Sequence, residues 1–165
     1  MKRIILMSCL LMPAPAFAAN WYTTAASPDG TEGALLDTDS IKIVNLFSLK
    51  PIDKDFNENI YVTYSQKIQT PTFIQIKDML VSCKYWIYSP TYVQVFDRQG
   101  KFVADKTPQL ATVPVPTDSL DGITANHVCY LAAARDYKNI EDNPDKNMSL
   151  LKYRFPNHYK AVIGD

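Results

Sequence analysis

Met-Leu-Val-Ser-Cys-Lys-Tyr-Trp-Ile-Tyr-Ser-Pro-Thr-Tyr-Val-Gln-Val-Phe-Asp-Arg-Gln-Gly, residues 79–100, is the stretch that decides the fold. Its two apolar runs are rich in Val, Ile, Tyr, Trp and Phe, which favour extended strands. A break at Ser89-Pro90 separates the runs, and the second ends at Asp97-Arg98-Gln99-Gly100, where the glycine can take the positive φ of a hairpin turn. The stretch therefore predicts the centre of an antiparallel sheet.

The first of these strands carries a candidate protein-binding surface. Side chains alternate between the two faces of a strand, so Cys83 is predicted on one face and Lys84, Trp86 and Tyr88 on the other. Tyr and Trp are frequent among the hot spots of interfaces. We therefore predict that Lys84, Trp86 and Tyr88 contact a partner, against the alternative that their rings belong to the core.

Further strands are predicted on both sides of this stretch. Turn residues separate short aromatic, β-branched or alternating segments at residues 21–25, 34–37, 41–47, 60–64 and 101–104. In the segment before the central strand, the spacing of apolar residues fits both a strand and a helix. Ile74 and Ile76 alternate with polar residues as in a strand, whereas Phe73, Ile76 and Leu80 would share a helical face. We favour the strand because the segment runs directly into the central one.

One helix is predicted after the strands. Prolines at positions 108, 114 and 116 exclude a central strand and predict an extended edge or crossing segment. Thr117 or Asp118 is expected to cap a helix with apolar residues at spacings of three and four, namely Leu120, Ile123, His127, Val128, Leu131 and Ala134. The predicted fold class is α+β, an antiparallel β-sheet of about six strands with a C-terminal helix packed on it.

Cysteine usage predicts one disulfide. Cys9 lies in the leader described below, which leaves Cys83 and Cys129 as an even pair for an oxidising compartment. A bridge between them would close a loop of roughly 47 residues and stabilise the fold by about 4 kcal/mol on the chain-entropy model. Its predicted role is structural, because redox-active cysteines more often lie close together in sequence.

Residues 1–18 read as a secretory signal peptide. Lys2 and Arg3 precede an apolar run, and Ala16-Phe17-Ala18 offers the small residues that a signal peptidase reads. A rival reading takes Cys9 as the lipidated residue of a lipoprotein box, but it leaves an apolar run of only about five residues. No later stretch approaches the roughly 20 apolar residues of a membrane helix. We expect a protein of the periplasm or of the cell surface, or a secreted one.

The rest of the chain fits one domain and a tail. Removal of the leader leaves 147 residues with 15 basic and 17 acidic side chains. This weakly acidic balance argues against a nucleic-acid partner, which requires a basic footprint. Residues 19–135 form the predicted α+β domain. Residues 136–165 are charged and interrupted by prolines, so we expect a polar tail ordered only in part, with Leu150-Leu151 and Tyr153 as a docking patch.

The sequence contains no recognisable catalytic constellation. A hydrolytic triad usually needs a histidine base, and the two histidines are better explained as a structural residue beside the disulfide, His127, and a surface residue, His158. No spacing of cysteine or histidine resembles a metal site, and glycine-rich phosphate loops are absent. We predict no enzymatic activity, no metal and no cofactor.

The order of several short motifs resembles the surface-adhesin protein E family of Gram-negative bacteria over residues 21–131. After the leader come Trp21, Leu35-Leu36-Asp37, Val81-Ser82-Cys83, Phe96-Asp97-Arg98-Gln99-Gly100 and His127-Val128-Cys129. The resemblance implies an antiparallel sheet with a helix packed on it, and an outer-membrane lipoprotein that binds host matrix and serum proteins. This chain lacks a convincing lipoprotein box, and none of the family's ligand-binding residues is carried over.

Together these observations predict a non-catalytic exported protein that binds another protein through its sheet. The resemblance implies adhesion to host extracellular-matrix or serum proteins. A periplasmic inhibitor or immunity-type protein that docks on an enzyme such as a lysozyme is the alternative, and a homodimer through the sheet stays open. Exposure on intact cells separates the first two, because a protein confined to the periplasm cannot touch host matrix.

Overall fold

The computed structural model describes residues 19–45, 60–109, 111–138 and 144–164. The predicted signal peptide and the polar stretch 51–59 lie outside these ranges. The described residues form seven strands and three helices: β1 (Trp21–Ala26), β2 (Gly33–Asn45), β3 (Ile60–Gln69), β4 (Phe73–Ser82), β5 (Ile87–Asp97), β6 (Phe102–Lys106), β7 (Val113–Pro114), α1 (Leu120–Lys138), α2 (Pro144–Arg154) and α3 (Tyr159–Ile163).

The strands form one antiparallel sheet in the order β1-β2-β3-β4-β5-β6, with β7 beside the start of β5. The predicted fold class is confirmed. The segment around Ile74 and Ile76, whose pattern fitted both a strand and a helix, is a strand, β4. The predicted segments 34–37 and 41–47 are not separate strands. Residues 34–37 and 41–45 belong to β2, whose pairing with β3 shifts register between Asp37 and Lys42, and residues 46–47 lie outside the described ranges.

All three helices lie on the same side of the sheet, which we call the helix face. Alternate residues of β3 point to this face and are buried, and α1 packs across β1, β2 and β3. The core between the layers includes Leu36, Ile41, Val62, Tyr64, Met79, Val81, Ala125, Val128, Ala132, Leu151 and Phe155. Each large apolar side chain buried there contributes about 1.5 to 3 kcal/mol to folding.

The disulfide joins the sheet to its helical cover. Cys83 and Cys129 are bonded, with their Cα atoms 5.6 Å apart, as the sequence predicted. Cys83 follows the end of β4, and Cys129 lies in the middle of α1. The bond therefore fixes α1 to one end of the central strands.

The segment expected to be a polar, partly ordered tail is largely helical. Residues 144–164 hold α2 and α3, and Leu151 and Phe155 are buried in the core shared with the sheet. Of the predicted docking patch, Leu150 and Leu151 are buried, and the Tyr153 ring contacts Lys84. Composition alone predicted only partial order because these few apolar residues are scattered among many charged ones.

The cap of α1 is Ser119, not Thr117 or Asp118 as predicted. Its hydroxyl accepts a hydrogen bond from the backbone N of Gly122 at 3.0 Å, which satisfies a donor of the first helical turn. Gly122 is required there by space rather than by φ. A Cβ on it would lie 1.8 Å from the backbone oxygen of Pro116.

Candidate functional site

The predicted strand through residues 81–88 is interrupted by a turn. β4 ends at Ser82, residues 83–86 form the turn, and β5 begins at Ile87. The backbone N of Trp86 donates to the carbonyl of Ser82 at 2.9 Å and closes it. Trp86 has a φ of 54°, a left-handed conformation that a bulky residue rarely adopts. The pattern of alternating faces therefore does not hold across this segment, and the predicted break at Ser89-Pro90 lies inside β5 instead.

The three side chains predicted as one exposed surface have different surroundings. The Lys84 ammonium lies 3.6 Å from the centre of the Tyr153 ring, which is part of α2. The Trp86 ring packs against the core, with its centre 6.1 Å from that of the His158 ring. Tyr88 points to the helix face, because it pairs with the buried Val81 across β4 and β5. The structure thus does not bring these residues together on one strand face.

The side of the sheet opposite the helices, which we call the open face, is a broader candidate surface. No described helix packs on it. The registers place its residues in rows that run across neighbouring strands, since directly paired residues of antiparallel strands point to the same side. We distinguish a polar middle row and an apolar end row.

The polar middle row consists of Ser65, Asp78 and Tyr92. The Ser65 hydroxyl donates to the Asp78 carboxylate at 2.6 Å, and a cavity of about 340 Å³ beside it is also lined by Lys42 and Thr91. The Tyr92 hydroxyl donates to Asp105 of β6 at 2.8 Å, and this hydrogen bond raises the pKa of Tyr92. Hydroxyls and carboxylates here are largely bonded to one another.

The apolar end row consists of Ile74, Phe96 and Phe102 on the adjacent strands β4, β5 and β6. The two phenylalanine rings meet edge to face with their centres 5.9 Å apart. Phe102 is 51% exposed although its side chain is large and apolar, and it lies on the edge strand β6 where the pairing with β5 shifts register. Aromatic groups that remain uncovered on a rigid sheet are the chemistry of protein interfaces.

The histidines occupy two different environments. His127 lies on α1, where Nδ1 is 3.0 Å from the carbonyl of Ile123 and the ring is near Tyr22. His158, expected on the surface, is buried, and its Nε2 lies 2.9 Å from Asn126 Oδ1. Burial lowers the pKa of the His158 ring. Within the described ranges no three His, Cys, Asp or Glu side chains are grouped so that they could hold a metal ion.

Comparison of the chain with protein-family models, with curated proteins and with solved structures gave no match. No helix in the described part of the chain is long and apolar enough to cross a membrane. The fold and the open face define an α+β protein in which a disulfide fastens a helical cover to one side of a six-stranded sheet and a seventh short strand.

Proposed function

We propose that this chain is an exported, non-catalytic protein that binds another protein through the open face of its sheet. The observation that carries the proposal is the apolar end row, where Ile74, Phe96 and Phe102 lie side by side outside the core. The surface-adhesin resemblance supports host matrix and serum proteins as partners. The Cys83–Cys129 bond is compatible with export.

The open face suits a protein partner because its apolar and polar residues are separated. The apolar end row offers a compact patch from which a partner can displace water, and the middle row with Asp78 offers hydrogen-bonding groups next to it. Interfaces commonly combine an apolar centre with a polar rim, and here the end row would form the centre of the contact and the middle row one side of its rim. The three strands that carry the end row are hydrogen-bonded neighbours, so little ordering entropy opposes binding.

Binding of the mature protein to immobilised matrix and serum proteins tests this surface. We expect Phe102→Ser to weaken binding by at least about tenfold, as the loss of an interface hot spot does. Tyr130→Ser is the matched control, because Tyr130 is a comparably exposed aromatic on α1, away from the open face. Equal binding by both variants would overturn the assignment of the open face.

Location on the cell decides between the two classes of partner. We expect protease added to intact producing cells to digest the protein while a periplasmic marker stays whole. Protection together with the marker would contradict adhesion and favour the inhibitor or immunity-type alternative. Capture of periplasmic enzymes with wild-type protein and with the Phe102→Ser variant would then test whether the open face serves that partner.

A further inference from the structure

A second concave site lies on the helix face, away from the open face. A cavity of about 300 Å³ opens where α1 begins above β4 and β5, and it is lined by Gln75, Lys77, Met79, Tyr88, Val93 and Asp121. Its size is at the lower end for small-ligand pockets, which enclose about 300 to 1,000 Å³. The cavity exists because α1 covers mainly β1 to β3 and leaves part of β4 and β5 beside its first turn uncovered.

The charges in this cavity cancel. Lys77 Nζ lies 3.2 Å from both oxygens of the Asp121 carboxylate, and both side chains are mostly buried. Asp121 also accepts a hydrogen bond from the side-chain amide of Gln66. An ion pair with this geometry leaves no net charge for an ionic ligand, while both partners keep hydrogen-bonding capacity directed at the cavity.

The lining of the cavity offers hydrogen-bonding groups of both kinds. The Lys77 ammonium and the Gln75 amide N–H groups donate, whereas the Asp121 carboxylate and the Gln75 amide oxygen accept. A hydroxyl group both donates and accepts, so neighbouring hydroxyls of one molecule can satisfy both. The side chains of Met79 and Val93 and the half-buried ring of Tyr88 supply an apolar wall for a carbon skeleton.

We propose that this cavity binds one uncharged sugar unit. The sugar's hydroxyls exchange hydrogen bonds with the Lys77–Asp121 pair, Gln75 and the Tyr88 hydroxyl, and its C–H surface packs on the apolar wall. The site lies on the face opposite Phe102, so the proposal stands or fails independently of protein binding by the open face.

Saturation-transfer NMR and fluorescence titration of the full mature protein test it, with glucose, galactose, mannose and N-acetylglucosamine as probes. Glucosamine and glucuronic acid are the charged counterparts. We expect saturable binding of at least one uncharged sugar with a dissociation constant below about 10 mM, and weaker binding of its charged counterpart. Absence of saturable binding by every uncharged sugar would overturn the proposal.

Two conservative variants and one control test whether the sugar binds in this cavity. Tyr88→Phe removes one hydroxyl and keeps the ring, and Gln75→Leu removes an amide from a partly exposed position; each should weaken sugar binding by about tenfold. Tyr92→Phe removes a hydroxyl from the same strand but on the open face, and it should leave binding unchanged. Unchanged binding in both cavity variants, or an equal loss in the control, would assign the sugar to another place.

A third variant tests the charge argument. Asp121→Asn leaves the Lys77 ammonium without its counter-ion, so glucuronic acid should gain affinity relative to glucose. An unaltered preference in a folded Asp121→Asn protein would contradict the balance of charges on which the proposal rests. If this variant does not fold, the Tyr88 and Gln75 variants still decide the outcome.

Discussion

The two hairpin turns at the ends of β5 differ in what holds them in place. The turn at residues 97–100 is bonded mainly to itself: the Asp97 carboxylate accepts from the backbone N of Gln99 and of Lys101, and Gly100 supplies a φ of 81°. The turn at residues 83–86 has local bonds too, because Ser82 accepts from the backbone N of Trp86 and of Tyr85. It is held in addition by the disulfide, the Lys84 contact with Tyr153 and the packing of Trp86. One turn keeps its shape by local chemistry, and the other depends also on α1, α2 and α3.

The largest expected effect on stability comes from releasing the turn at residues 83–86, which we call the dependent turn, from α1. Replacement of both Cys83 and Cys129 by Ala should lower the free energy of unfolding by about 4 kcal/mol, because the unfolded chain regains the freedom of a long loop. Urea unfolding measures this change. Amide exchange at Gly100 should change only through global stability, and equal midpoints for the oxidised wild type and the double variant would contradict the prediction.

A smaller effect is expected from the backbone of Trp86. Its left-handed φ favours glycine, so Trp86→Gly should be more stable than Trp86→Ala by about 1.5 kcal/mol, although both lose the packing of the ring. Thermal or urea unfolding of the matched pair isolates the conformational cost. If alanine is tolerated as well as glycine, the turn changes shape once the indole ring is removed.

In the turn at residues 97–100, a substitution at the residue with positive φ should affect only the turn itself. Gly100→Ala should cost about 1 kcal/mol, since a Cβ there would meet no atom within 4 Å and only the positive φ opposes it. Gly100→Asn should recover part of the loss, because asparagine tolerates left-handed backbone. Urea midpoints give the cost, and the tryptophan fluorescence of the folded variants should match the wild type. A shifted emission maximum would show that the two turns are coupled.

The mildest perturbation is acid, which acts on the dependent turn through His158. Its Nε2 faces Asn126 Oδ1 at 2.9 Å, its Nδ1 is buried without a partner, and burial lowers the pKa of the ring. The unfolded chain therefore takes up this proton at a higher pH than the folded chain. Stability should fall as the pH drops below about 6.5, by less than about 1.4 kcal/mol per pH unit for a single proton.

Urea midpoints measured across this pH range check the acid effect. The control is His158→Gln, which removes the titrating group and keeps a polar side chain, and its stability should depend less on pH over the same interval. His127 is present in both proteins, so its contribution cancels in the difference. Parallel pH profiles for wild type and variant would contradict a role for His158.

The same contrast explains what could be predicted from the sequence. The turn at Asp97–Gly100 could be predicted because its hydrogen bonds join residues only a few positions apart. The strands could be predicted from the alternation of apolar and polar residues, and the disulfide from the even number of cysteines. The turn at residues 83–86 has no glycine, proline or asparagine to mark it. Its shape depends on contacts with α1 and α2, which lie far along the chain, as well as on its bonds to Ser82.

The cavity on the helix face was missed for the same reason. Lys77 and Asp121 are 44 positions apart, and neither has a neighbour in sequence that suggests a pair. Gln75, Met79 and Tyr88 fit the pattern of ordinary strand residues, and only the packing of α1 beside β4 and β5 makes them the wall of one cavity.

The position of the helical cover at the end of the chain has a consequence for biosynthesis. The strands occupy residues 21–114, but their core face is closed by helices that begin at Leu120. Bonds such as that between the hydroxyls of Thr24 and Thr124 cannot form until 100 further residues have been made. A growing chain therefore has no complete core to fold around until the residues of α1, α2 and α3 have been synthesised.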